Sequence, residues 1–143
     1  MRKLLLPIDG TPARLKVAVA EAIRICSQEP VAVHLLSVQP SVSSHVAMFF
    51  ATGELHQMQH EAGTEDLAPA QAMLEAAGIA YTSSVIVGRR AETIARVARE
   101  LGCDRIIMGQ EASGGLAGKI FGSLAEQVRG IVSGGGDCQV IGS

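Results

Sequence analysis

Short apolar runs alternate with apolar residues at helical spacing along this chain, and that alternation limits its possible folds more than any other feature. Residues 3–8, 31–38, 81–87 and 105–108 read as strands, as does the short terminal run 139–141. The first strand leads into Gly10-Thr11-Pro12, where Thr11 can cap a helix with Pro12 at its first position. Leu15, Ala18, Val19, Ala22, Ile23 and Cys26 then recur at helical spacing. A helix over 91–101 carries Ile94, Ala95, Ala98 and Leu101 on one face, with Gly102 where a left-handed C-cap is expected. Phe121, Leu124, Ala125, Val128, Ile131 and Val132 mark a last helix. Strands separated by helices call for right-handed crossovers and a parallel sheet covered on both faces. The expected fold is therefore α/β: a single doubly wound domain over residues 1–143, built on a five-stranded parallel sheet with helices on both faces.

A chain of 143 residues suits one core. Twelve basic against fourteen acidic residues provide no cationic field for a nucleic acid backbone, and with no Trp and one Tyr there are few platforms for stacking bases. Nucleic acid is therefore not expected as a partner. The apolar start, Leu4-Leu5-Leu6, turns at once into Pro7-Ile8-Asp9, which is too short for a signal peptide or a membrane span. A cytoplasmic protein with no membrane partner is the expectation. Cys26, Cys103 and Cys138 are an odd count without a CxxC spacing and read as reduced packing residues.

The stretch 40–77 is the least regular, with a helix-like tail over 65–77 that Pro69 should kink or delimit. It holds His45, His56 and His60. The last two, four residues apart, could share a helix face and chelate a metal, but no third ligand has a fixed relation to them, and solvated surface is the preferred reading. Val46, Met48, Phe49 and Phe50 either fold back over the sheet or present an apolar patch to a partner.

Open parallel sheets bind ligands in the crevice beyond the carboxyl ends of their strands, where strand order reverses. Two loops fall there. Asp9 closes the first strand beside a helix N-terminus; it suits a ribose hydroxyl or a metal, and equally a dipole partner or turn former. The second loop, 109–123, is dense in glycine at Gly109, Gly114, Gly115, Gly118 and Gly122, and Gly122-Ser123 opens a helix with a hydroxyl at its N-cap. It reads as a phosphate cradle, or else as a flexible surface loop. Ser113 and Ser123 have no histidine at a defined offset, and His34 lies within an apolar strand, where a satisfied core histidine is expected.

Leu5-Leu6-Pro7-Ile8-Asp9-Gly10-Thr11, the strand ending at Val38, the Val87-Gly88 turn before Ile94, and Asp104-Arg105-Ile106-Ile107-Met108-Gly109 together resemble a universal stress protein of the UspA type. The resemblance spans nearly the whole chain. That family's nucleotide-binding members carry a glycine, two residues, a second glycine, nine residues, then glycine and a hydroxyl residue. Gly109, Ala112 and Gly122-Ser123 reproduce the spacing, with alanine in place of the second glycine.

The resemblance implies an adenine nucleotide alpha hydrolase-like fold and an ATP site, with Mg2+ accompanying the nucleotide. Asp9 would approach the ribose, and backbone atoms near Pro7 and Val38 would hold the adenine. Gly109 and the stretch Ala112, Ser113, Gly114 and Gly115 would line the triphosphate, while Gly122, Ser123 and Leu124 would meet the phosphates. It also implies a homodimer paired through the terminal strand around Val140, a stress role with protein targets it does not identify, and at most slow ATP hydrolysis.

Three departures stand out. Ala112 puts a methyl group where glycine would allow close backbone approach, Glu111 adds a negative charge, and Lys119 is the loop's one basic residue. They favour a second expectation, a related dimer that binds no nucleotide and acts only through protein contacts. Ser133-Gly134-Gly135-Gly136-Asp137 echoes the signature of ATP pyrophosphatases and would suggest an adenylating enzyme. It ends a helix and precedes a short strand, however, whereas that loop follows a first strand.

Overall fold

The computed structural model describes residues 2–8, 12–40, 48, 52–108, 124–132 and 138–141. Among them β1 (Arg2–Ile8), α1 (Pro12–Gln28), β2 (Val31–Gln39), α2 (Thr52–Ala76), β3 (Tyr81–Val87), α3 (Arg90–Leu101), β4 (Arg105–Ile107), α4 (Leu124–Val132) and β5 (Gln139–Ile141) follow in order. The strands form one parallel sheet in the order β3-β2-β1-β4-β5, the doubly wound arrangement that the strand–helix alternation predicts.

Leu4, Leu5 and Leu6 are all fully buried, because successive side chains of a central strand point to opposite faces and both faces are covered. Leu4, Leu6 and Ile8 meet Leu15, Val19 and Ala22 of α1 and Leu67, Ala70 and Leu74 of α2. On the other face Leu5, Leu36 and Ile106 meet Ile94, Ala95 and Ala98 of α3 and Ala125 and Val128 of α4. These two layers sandwich the sheet.

Two helix ends follow from glycine. Gly102 closes α3 in the left-handed region at φ 69°, with its own amide directed at the Ala98 and Arg99 carbonyls and the Cys103 amide donating to the Ala98 carbonyl at 2.8 Å. Gly78 does the same after α2 at φ 73°, where the Ile79 amide donates to the Leu74 carbonyl at 2.9 Å.

The stretch 40–77 departs from expectation. Its helix neither starts near residue 65 nor ends at Pro69; α2 begins at Thr52 and passes through the proline. Pro69 costs the helix one backbone donor, yet Gly63, Leu67, Ala70 and Leu74 are buried along one stripe on either side of it, and this packing holds the two segments in register. Met48 is 81% exposed, while Val46, Phe49 and Phe50 lie outside the described residues, as do Thr11 and Phe121 of the predicted helix starts.

The cysteines are free thiols. Burial pushes the Cys103 thiol up to about 11, with Cys138 nearby adding to the shift; burial likewise raises Cys26 and Cys138. Thiolate is scarce at all three near neutral pH.

Candidate functional site

Strand order reverses between β1 and β4, so the crevice beyond their carboxyl ends is where a sheet of this topology takes a ligand. The ladders show how it opens. β1 pairs with β2 along its whole length, from Arg2↔Val31 to Ile8↔Ser37. With β4 it pairs only at Leu4↔Arg105 and Leu5↔Ile106. Among the described residues β1 has no partner on the β4 side beyond Leu5, and this is where Pro7 sits. A proline lacks the N–H that a central strand needs on both sides, and it is accommodated where one ladder has stopped.

Three of the sequence-predicted contact residues are described, and they gather at this end. Pro7 is half-buried opposite Leu36, and Val38 follows Ser37, the partner of Ile8. Val38 is buried in the same cluster as Met108, the residue that ends β4's apolar run, and half-buried Leu124 at the start of α4 packs against that cluster. Met108 is held by its amide donating to the Ile141 carbonyl at 2.8 Å. Asp9, Gly109, Ala112, Gly114, Gly115, Gly122 and Ser123 lie outside the described residues, as does Glu111.

At the same end lies a polar network that the sequence did not reveal. Ser37 is fully buried, and the Gln39 side-chain amide donates to its hydroxyl at 2.9 Å and to the Asp66 carboxylate of α2 at 3.2 Å. The hydroxyl of Ser37 inside an otherwise apolar strand was the available signal; Asp66, within the irregular stretch, gave none. Beside the network a groove of about 290 Å3 runs between α1 and α2, bordered by Pro12, Leu15, Asp66, Pro69 and Met73.

His34 belongs elsewhere. It lies four residues before Val38, about 13 Å down β2. Its Nδ1 is 2.6 Å from the Thr82 hydroxyl and its Nε2 2.8 Å from that of Ser84. Both ring nitrogens are satisfied, as expected, although the residue is half-buried and not a core histidine. Burial lowers its pKa, and the Lys3 ammonium adds to the effect.

The model of the universal stress protein family matches residues 1–130. The chain belongs to the universal stress protein family. No curated protein sequence is similar enough to count as a relative. Among solved structures, the hypothetical protein MJ0577, whose biochemical function was assigned from its structure, superposes with a TM-score of 0.74 at 24% identity, over 99% of this chain and 94% of that one. A universal stress protein family member from Burkholderia pseudomallei gives 0.70 at 20%, over 99% and 94%. The universal stress protein from Archaeoglobus fulgidus in complex with dAMP gives 0.67 at 15%, over 99% and 97%. At these identities the likeness establishes a shared universal stress protein fold.

Proposed function

We propose that this universal stress protein binds an adenine nucleotide, ATP with Mg2+, as a ligand or switch in the crevice between β1 and β4, and acts as a cytoplasmic homodimer with slow hydrolysis at most. The observation that supports the reading is the early end of the β1–β4 ladder among the described residues, which leaves the carboxyl end of β1 unpaired on the β4 side, at the end of the sheet where Val38 lies. The first turn of α1, which follows β1, holds no acidic side chain, so no carboxylate there opposes an anionic ligand. The bound dAMP of the Archaeoglobus fulgidus protein and the AMP of a family member from Arabidopsis thaliana support the choice of an adenine nucleotide.

In this reading Pro7 and Val38 flank the base, and Asp9 meets the ribose. Gly109, Ala112, Gly114, Gly115, Gly122 and Ser123 supply amides and a hydroxyl to the phosphates. Mg2+ would be held chiefly by phosphate oxygens, as is usual for this ion. The dimer would pair through β5, a three-residue strand at the sheet's edge.

A second reading keeps the dimer and removes the ligand. It rests on acidic residues where phosphates would lie: Glu111 in the loop and Glu126 in the first turn of α4. Release of nucleotide from freshly purified protein, followed by ion-exchange chromatography, separates the two. The first reading expects an adenine nucleotide; protein that carries none and takes up none when supplied with Mg2+ and ATP supports the second.

A further inference from the structure

Helix α2 carries a feature that the nucleotide site does not use. Its first three turns add nothing to the buried core: no residue from 53 to 62 is buried, although Leu55 and Gln59 are half-buried, and Gly63 is the first that is buried. His56 and His60 both lie on this exposed portion. Because the helix runs unbroken from Thr52, they stand one turn apart on one face, about 6 Å along the axis and about 40° around it. Among the described residues neither imidazole is engaged in a hydrogen bond or ion pair. Paired histidines at this spacing are the arrangement by which a helix presents two nitrogen ligands to one metal ion.

The charge of the helix is an independent observation. From Thr52 to Ala76 it carries Glu54, Glu61, Glu65, Asp66 and Glu75, and no lysine or arginine. The helix surface therefore attracts divalent cations, and its two imidazoles are its side-chain nitrogens suited to ligate a metal. Imidazole ligands select borderline ions over Mg2+ and Ca2+, which take oxygen. We propose that His56 and His60 form a two-imidazole chelate for a divalent transition-metal ion of the Zn2+, Ni2+ or Cu2+ class, with water in the remaining positions. No third His, Cys, Asp or Glu completes a cluster among the described residues, so the site is open and exchangeable.

The test is isothermal titration of the untagged, chelator-treated full chain with ZnCl2, with helix content followed by circular dichroism. The wild-type chain should bind one ion in the micromolar range, undisturbed by excess MgCl2. His60→Gln should weaken binding by about tenfold or more. The paired exchange His60→Ala with Ala62→His keeps composition and charge on exposed positions but sets the histidines six residues apart on different faces, and it should lose binding to the same extent. Zinc held elsewhere, for example by a cysteine thiolate, would leave both variants at wild-type affinity. That result, or a wild-type chain that binds no zinc at micromolar concentration, overturns the proposal.

Discussion

Lys3 and Asp104 hold each other by two hydrogen bonds across 101 residues of sequence: the Lys3 amide donates to Asp104 Oδ1 at 3.0 Å, and the Asp104 amide donates to the Lys3 carbonyl at 3.1 Å. This pins β1 to β4 at the amino end of the sheet, while among the described residues the same two strands have no pairs beyond Leu5 and Ile106. The two strands are thus clamped at the amino end and unpaired toward the carboxyl end among the described residues. Arg2 of β1 adds an ion pair with Asp104 at 3.9 Å, and Arg105 of β4 forms one with Glu29, just after α1, at 2.6 Å.

Asp104→Ala should lower stability by about 1 kcal/mol in urea unfolding, the usual net worth of one hydrogen bond. Asp104→Asn retains an acceptor for the Lys3 amide and should lose less. Equal losses in the two variants would show that the acceptor is not what matters.

Two glycines of α2 should respond in opposite directions. A Cβ at Gly63 would stand 2.7 Å from Cγ2 of Val85 on β3 and closer still to Cγ1, so Gly63→Ala should destabilise by about 1–3 kcal/mol. Among the described residues nothing lies within 4 Å of a Cβ at Gly53, so Gly53→Ala should stabilise, by up to about 1 kcal/mol, through helix propensity. Urea midpoints of both variants, compared with wild type, provide the check.

His34 makes stability depend on pH. Its pKa is lowered in the folded state, so on acidification the unfolded chain takes up a proton before the native one does, and this contribution to stability falls as pH drops through the ordinary histidine range. His34→Asn should lose less stability between neutral and mildly acid pH than wild type. An imidazole titration by NMR with a midpoint at or above the ordinary value would contradict this.

The glycine loop supplies a prediction from sequence. Ala112→Gly combined with Glu111→Ser removes a methyl group and a negative charge from the phosphate path and should raise ATP affinity. Titration of the double variant with Mg2+ and ATP checks this; unchanged affinity means that those two residues do not limit the site.

Most of the fold was legible because its signals are local. The Leu4-Leu5-Leu6 run announced a strand buried on both faces, and Gly102 announced the end of α3. Helix α2 was not legible. Its buried stripe of Gly63, Leu67, Ala70 and Leu74 is half small residues, and Pro69 within it reads as a breaker unless the sheet beneath is known. Likewise, Pro7 falls within the first strand read from sequence, but why a central strand accepts it shows only in the short β1–β4 ladder, which depends on residues about a hundred positions apart. Pro7 and Val38 lie toward the carboxyl ends of β1 and β2, while the loops that would complete the site lie outside the described residues; the Ser37–Gln39–Asp66 network needed α2 in place.

The most direct measurement of the nucleotide reading is thermal unfolding of the full chain with and without Mg2+ and ATP. Binding to the native state alone predicts a melting temperature that climbs with ATP concentration, equivalent to about 2.7 kcal/mol at one hundred times the dissociation constant. A melting curve unmoved by millimolar ATP with Mg2+ would contradict it.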